Sequence, residues 1–184
     1  MSDKIILLII IIFLNGVFIT LGLYFIIKAL LQFIFAYGVP FVPTPDKKIK
    51  ILLDNLEIKE DNNFVDIGCG DGRIMASVEE KFPKINVYGY ENSILPYQKA
   101  IKNKQKNNLN YTVYKKDFLK ENLSKYDVIY CYMIPYMMPK IWSKIKKECK
   151  KGTLFYTSSF DIKSEKYYKK IEIKKGNHLY IYKV

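Results

Sequence analysis

The chain has 184 residues, of which 49% are hydrophobic and 26% charged, and its formal net charge is +12. This length suits one globular domain. The composition excludes a disulfide-rich secreted scaffold, a membrane protein with several spans and a disordered chain. We therefore expect one membrane segment joined to one soluble domain.

The N-terminal part of the chain predicts a membrane anchor. Residues 5–27 contain no charged residue, and only Asn15 and Thr20 are polar. As a helix this stretch is about 34 Å long, enough to cross a hydrocarbon core. A cleaved signal peptide is the alternative, but its apolar core is usually shorter and precedes a small-residue cleavage site. We expect a retained anchor over residues 1–37.

Lysines flank this segment unequally. One lysine, Lys4, precedes it, and four lysines follow it: Lys28, Lys47, Lys48 and Lys50. Because positive residues favour the cytoplasmic side of a membrane, we expect a single-pass protein with its soluble domain in the cytoplasm.

Residues 38–45 predict an extended connector, because three prolines exclude a helix there. Asp46 is then predicted to cap a helix whose apolar residues recur at helical spacing. Further helices are predicted at residues 73–82, 93–106 and 138–149, and strands at 64–68, 86–91, 111–115, 127–133, 153–158, 171–175 and 179–183. Alternating strands and helices predict a parallel α/β sheet, and Gly176-Asn177 predicts a final antiparallel hairpin.

The globular domain is thus expected over residues 46–184, and its charge is uneven. Residues 51–138 are balanced, whereas residues 139–184 carry thirteen lysines against four acids, a net charge of +9. This excess predicts an acidic or anionic partner, with an ordinary solvated surface as the alternative.

Three cysteines and the single His178 lack metal-ligand spacing. We therefore expect no metal site and no Ser–His or Cys–His catalytic pair.

The most informative stretch is the loop after the first predicted strand. It reads Asp66-Ile67-Gly68-Cys69-Gly70-Asp71-Gly72. Alternate glycines allow a tight turn and close approach of a ligand, and loops of this kind lie at the carboxyl ends of parallel strands. Two carboxylates would repel a pyrophosphate but accept hydrogen bonds from an ammonium group. The loop therefore predicts a cofactor with an amino-acid end and no phosphate.

Two later strand ends extend this site. Glu91 ends the second strand, where an acid can accept from both hydroxyls of a ribose. Asp117 and Phe118 follow the third strand, where they could hold an adenine amino group and pack on its ring. A plain turn is the alternative for Asp117.

These residues resemble the seven-strand S-adenosylmethionine-dependent methyltransferases, over about residues 46–184. The resemblance implies a Rossmann-like fold and S-adenosylmethionine as cofactor. It also implies that Asp66, Gly68 and Gly70 line the methionine part, Glu91 the ribose and Asp117 the adenine.

A narrower resemblance rests on Pro40-Phe41-Val42-Pro43-Thr44 after the membrane segment and on Ile134-Pro135-Tyr136-Met137-Met138 after the fourth strand. Together with Val65-Asp66-Ile67-Gly68, these resemble the membrane-anchored lysine methyltransferases of the ATP synthase c subunit and the adenine nucleotide translocase, and their prokaryotic relatives. Cys69 stands where those relatives often carry serine. The resemblance implies methyl transfer to lysines of a protein, one associated with the membrane.

Lysine methylation needs alignment of the acceptor rather than a dedicated base, because an apolar channel and the sulfonium charge both lower the pKa of the acceptor amine. Tyr132, Pro135 and Tyr136 follow the central strand, where we expect the acceptor to enter. Phe41 and Pro43 are expected to close over the cofactor. Simple packing is the alternative for the tyrosines, and a stiff spacer for the connector.

Three other functions stay open. The basic C-terminal third favours an RNA or DNA methyltransferase. However, Ile134-Pro135-Tyr136 lacks the polar first residue that is typical of enzymes methylating base amino groups, and the anchor argues against nucleic acid as a partner. A lipid-soluble small molecule is another acceptor class. A module that binds the cofactor without transferring methyl is the alternative without catalysis.

Overall fold

The computed structural model describes residues 3–35 and 41–184. The chain divides into two compact units, Met1–Pro40 and Phe41–Val184. The predicted connector at 38–45 lies partly outside the described residues, and its last five residues are not helical.

The first unit is one helix, α1, over Asp3–Phe35. Its stretch Asp3–Leu31 is long and apolar enough to cross a membrane, and the described side chains of this stretch are exposed. The two polar side chains satisfy themselves within the helix: Asn15 Nδ2 donates to Ile11 O at 2.8 Å, and Thr20 Oγ1 donates to Gly16 O at 2.7 Å. Such internal bonds suit a helix in a medium without water.

The second unit is built on a seven-stranded sheet of order β3-β2-β1-β4-β5-β7-β6. Its strands are β1 Asn63–Ile67, β2 Asn86–Tyr90, β3 Thr112–Tyr114, β4 Val128–Cys131, β5 Leu154–Ser158, β6 Lys169–Lys174 and β7 Asn177–Lys183. Pairing is parallel from β3 to β5, and β7 pairs antiparallel with both β5 and β6. The predicted seven-stranded α/β fold with its final hairpin is confirmed.

Four helices complete this unit: α2 Asp46–Asp54, α3 Arg73–Lys81, α4 Ile94–Lys106 and α5 Met138–Glu148. Residues alternate between the two faces of each strand. Tyr156 belongs to the core shared with α2, α3 and α4, whereas its neighbour Phe155 stacks on Trp142 of α5 with ring centroids 5.9 Å apart. Helices therefore cover both faces of the sheet.

The sequence predictions were wrong in small ways at element ends. The N-cap of α2 is Pro45, and Asp46 is already the first helical residue. β4 ends at Cys131 rather than residue 133, so Tyr132 and Met133 lie beyond the strand. The hairpin turn includes Gly176, with φ of 76°, but Asn177 already belongs to β7.

The strand order places the opening of the site. β1 lies between β2 and β4, so the strand order runs from β1 to β3 on one side and from β4 to β5 on the other, and it reverses at β1. Ligands of doubly wound sheets bind beside the carboxyl ends of the strands at such a reversal.

Candidate active site

The glycine loop, residues 68–72, joins β1 to α3 at this reversal. Gly68, Gly70 and Gly72 have φ of 84°, 57° and 80°, in the left-handed region that disfavours other residues. A Cβ on Gly70 would lie 2.5 Å from Phe41 Cε2, and one on Gly68 would collide with Met133 Cε. The loop backbone is therefore approached closely by two side chains that other elements supply.

Asp66 lies in β1 just before this loop and is almost fully buried, with 3% of its surface exposed. Among residues 3–35 and 41–184 its carboxylate has no hydrogen-bond or ion-pair partner. Burial, followed by the negative charges of Glu91 and Asp71, raises the pKa of Asp66 well above its usual range. A buried acid in this state is a receptor for a cation, which fits the ammonium end of an amino-acid ligand.

Glu91 follows β2 and holds the glycine loop in place. Its Oε2 accepts from Gly70 N at 2.9 Å, and its Oε1 accepts from Ser93 N at 2.6 Å. A carboxylate offers about four acceptor positions, so these two bonds leave capacity for a ligand hydroxyl. Glu91 is buried beside Asp66, as the predicted ribose site requires.

The other loop acid has a different setting. Asp71 pairs with Arg73, whose Nη2 lies 2.7 Å from Asp71 Oδ2 and whose Nη1 donates to Thr44 O at 3.2 Å. Because Asp71 has its own cation, it contributes charge near Asp66 but is not an unpaired receptor.

Asp117 and Phe118 stand where β3 leads into a short 3₁₀ helix, Phe118–Lys120. Asp117 Oδ1 accepts from Leu119 N at 3.0 Å, and the Phe118 side chain is buried. The carboxylate therefore caps the turn, as the structural alternative predicted, while it stands at the third strand end beside the site.

Of the two connector residues, only Phe41 is brought to the loop. Its ring lies against Gly70, and Lys99 Nζ of α4 stands 5.6 Å from the ring centroid. Pro43 is exposed. Thr44, which the sequence reasoning missed, is buried, and its side chain is hydrogen-bonded to Tyr130.

Beyond β4 and β5 lies a second group, here called the Tyr132 cluster: Lys48, Tyr132 and Ser159. Lys48 Nζ donates to Ser159 Oγ at 2.6 Å and to Tyr132 Oη at 3.0 Å, and stands 4.2 Å from the Tyr132 ring centroid. Lys48 is 8% exposed, and no ion pair joins it to any acid in the described part of the chain.

Sequence reasoning identified Tyr132 but missed its two partners. Lys48 lies four residues before Leu52, which is fully buried, so helical spacing marks it as an inward-facing lysine. Ser159 has a φ of 75° directly after β5 and carries no sequence signal. Pro135 and Tyr136, also predicted here, begin a 3₁₀ helix and are exposed.

No group of three potential metal ligands occurs within residues 3–35 and 41–184. The cysteines at the site are poor nucleophiles, because burial raises the pKa of both Cys69 and Cys131 well above the usual thiol range. The available chemistry is therefore acceptance of a cationic ligand at the glycine loop and alignment of a second group at the Tyr132 cluster.

Solved structures of other proteins share this fold. A solved RNA methyltransferase from Salinibacter ruber, in complex with S-adenosyl-L-homocysteine, superposes with a TM-score of 0.73 at 21% identity, covering 78% of this chain and 94% of that one. The ribosomal protein L11 methylase of Lactobacillus delbrueckii subsp. bulgaricus gives a TM-score of 0.65 at 15% identity, covering 77% and 80%. The fold is that of S-adenosylmethionine-dependent methyltransferases.

The family follows from the sequence. The model of the ANTKMT methyltransferase domain matches residues 66–169, and the chain belongs to this family. A protein-lysine N-methyltransferase of Saccharolobus islandicus (strain REY15A) is 28% identical over 141 residues, which cover 76% of this chain and 88% of that protein. The protein is therefore an S-adenosylmethionine-dependent methyltransferase.

Proposed function

We propose that the protein transfers methyl groups from S-adenosylmethionine to lysine side chains of a protein at the membrane. The observation that carries the choice of lysine is the Tyr132 cluster, where an aromatic ring and two hydroxyls surround an ammonium group. The Saccharolobus relative, named a protein-lysine N-methyltransferase, supports the same acceptor.

In this proposal the glycine loop and its acids hold the cofactor. Asp66 accepts from the ammonium of the methionine part, and Gly68, Cys69 and Gly70 supply the close backbone. Glu91 accepts from the ribose hydroxyls. Asp117 and Phe118 lie at the adenine in this proposal, Asp71 contributes its charge, and Phe41 covers the loop. Once bound, the cofactor supplies an electrophilic methyl group on a positively charged sulfur.

The chain's own residues then align the acceptor. In this proposal the acceptor lysine takes the place that Lys48 holds in the structure, against the ring face and hydroxyl of Tyr132. Pro135 and Tyr136 form the exposed rim of the entrance. No dedicated base is proposed, because loss of the lysine proton is favoured by a dry site and a nearby positive charge. Rate enhancement comes from positioning the amine against the methyl carbon.

The membrane part of the proposal rests on α1. We propose that residues 1–37 anchor the enzyme, that residues 38–45 connect it, and that the methyltransferase domain, residues 46–184, lies on the cytoplasmic side. The support is the uncharged stretch of α1, residues 5–27, with one lysine before it and four after it. Such an anchor restricts acceptors to proteins in or near the membrane.

The test uses the full chain in membranes with radiolabelled S-adenosylmethionine. We expect methyllysine after acid hydrolysis of membrane protein, and none with Asp66→Ala. The matched control is Asp54→Asn, since Asp54 is an exposed acid that pairs with Lys81. Label confined to RNA or to lipid contradicts the proposal and favours the nucleic-acid or small-molecule acceptor.

A further inference from the structure

Lys48 is an unusual lysine for a protein with thirty basic residues. Its helix neighbours Lys47 and Lys50 are exposed, whereas Lys48 is buried with its ammonium at the carboxyl ends of β4 and β5. Removing an ammonium from water is costly unless it is paired. No carboxylate within residues 3–35 and 41–184 pairs with it, so it is not half of a structural ion pair.

The groups around Lys48 are the ones that recognise a lysine. The Tyr132 ring offers its negative face at 4.2 Å, and the Tyr132 and Ser159 hydroxyls accept from the ammonium. Ser159 is itself within 3.2 Å of Asn177 Oδ1, which fixes its hydroxyl. These hydroxyls and this ring form a receptor, and Lys48 is its occupant.

This receptor lies next to the glycine loop. Met133, the residue after Tyr132, packs its methyl group on Gly68. Thr44, which precedes the helix that carries Lys48, contacts Tyr130 through its side chain and Arg73 through its carbonyl. The segment that carries Lys48 is thus fixed against both the loop and the end of β4.

We propose that Lys48 is a methyl acceptor of the protein itself. The inference rests on the proposed lysine methyltransferase function and adds an acceptor within the chain. The ammonium releases a proton to water, and the amine nitrogen attacks the methyl carbon of S-adenosylmethionine. The N–C bond forms as the C–S bond breaks, and the electron pair of the C–S bond stays on the sulfur of S-adenosylhomocysteine.

The test is tandem mass spectrometry of the full-length protein, purified and incubated with S-adenosylmethionine. We expect methyl groups on Lys48 and not on Lys47 or Lys50, which lie on the same helix and are exposed. The modified fraction should grow at a rate independent of protein concentration, because donor and acceptor share one chain. Asp66→Ala should leave Lys48 unmodified, also when mixed with the unaltered enzyme.

A second measurement tests the receptor without turnover. In the ligand-free protein, an amine-acylating reagent should modify Lys48 at least about tenfold more slowly than Lys47. A factor of about ten is what the loss of one ordinary hydrogen bond costs, and Lys48 has to give up its hydrogen bonds before it reacts. Ser159→Ala and Tyr132→Phe should each reduce that protection. Lys47→Arg is the control and should leave the protection of Lys48 unchanged.

The outcomes separate the two proposals. Methyllysine in another membrane protein with Lys48 unmodified, or equal labelling of Lys47, Lys48 and Lys50, overturns self-methylation and leaves the proposed function standing. Absence of methyl transfer to any lysine overturns both. Acylation of Lys48 as fast as Lys47 contradicts the receptor.

Discussion

The glycine loop and the Tyr132 cluster lie side by side at the carboxyl ends of the strands, and the charged groups buried at the two places have opposite signs. Asp66 is a buried acid without a cation, and Lys48 is a buried cation without an acid, within the part of the chain that the structure describes. Asp66 has no polar partner there at all, whereas Lys48 has two hydroxyls and an aromatic ring.

This difference separates a receptor from an occupied site. An unpaired buried acid disfavours the ligand-free fold and is relieved when a cation binds. A buried ammonium in an aromatic and hydroxyl setting already has its partners. The glycine loop therefore depends on a ligand from outside, whereas in the ligand-free protein Lys48 fills the Tyr132 cluster, where an outside lysine has to displace it.

The largest expected effect is on cofactor affinity. Asp66→Asn removes the charge that pairs with an ammonium, and a charged hydrogen bond contributes about 1.5–3 kcal/mol. We expect S-adenosylhomocysteine to bind on the order of 100-fold more weakly in calorimetric titration. Asp54→Asn should bind normally, and unchanged affinity of Asp66→Asn would remove Asp66 from the cofactor site.

Gly70→Ala tests the close approach at the same loop. Left-handed backbone at a non-glycine residue costs about 1–2 kcal/mol, and the new Cβ would lie 2.5 Å from Phe41 Cε2. We expect the melting temperature to fall by about 2–8 °C or more, measured by differential scanning fluorimetry. Gly152→Ala is the matched control, because Gly152 also has positive φ, 93°, but no atom within 4 Å of the added Cβ. Equal losses in the two variants would mean that Phe41 does not press on the loop.

Tyr132→Phe tests the other side of the comparison. The variant keeps the ring but loses the hydroxyl that accepts from an ammonium. For a lysine-bearing acceptor we expect KM to rise about tenfold, with a smaller change in kcat, as loss of one hydrogen bond predicts. Tyr168→Phe, on an exposed tyrosine, serves as the control. A fall in kcat alone would move Tyr132 from acceptor binding to the chemical step.

The charge of Asp66 also predicts how stability depends on pH. Because its pKa is raised in the folded protein, the folded chain keeps a proton that the unfolded chain has released. The free energy of unfolding should therefore fall as pH rises from about 4, the ordinary value for Asp, towards the raised value. An asparagine does not titrate, so ligand-free Asp66→Asn should not lose stability in this way as pH rises. Its melting temperature should be higher than that of the unaltered protein at neutral pH and equal to it below about pH 4. Parallel melting curves across this range would contradict an unpaired buried acid.

The smallest effect is expected far from both sites. Glu60 pairs with Lys84 at 2.7 Å, but both side chains are more than two-thirds exposed. Exposed pairs contribute about 0–1 kcal/mol, so Glu60→Gln should change the melting temperature by only about 2–4 °C at most. A loss of more than about 4 °C would mean that burial does not decide which charges matter.

The sequence brings the residues of the glycine-loop side together because their contacts are local or follow from strand order. Gly68, Gly70 and Asp66 are neighbours in the chain, and Glu91 meets Gly70 since the carboxyl ends of β1 and β2 lie side by side. The sequence could not reveal that Asp71 pairs with Arg73, because Asp66 and Asp71 were equally able to face a ligand.

The Tyr132 cluster was predicted only at Tyr132, and the reason is separation along the chain. Lys48 and Ser159 are 111 residues apart, and the bond between them depends on where α2 crosses the ends of β4 and β5. Element boundaries matter as well: the sequence predicts that β4 reaches residue 133, whereas β4 ends at Cys131.

The edge strand β6 has a consequence for solubility that involves no ligand. An exposed strand edge offers unpaired backbone groups to the strands of other molecules, and charged residues on it prevent such pairing. Lys169, Lys170 and Lys174 are exposed along β6, whose other edge pairs with β7. Exposed lysines of the basic C-terminal third therefore protect the sheet from aggregation.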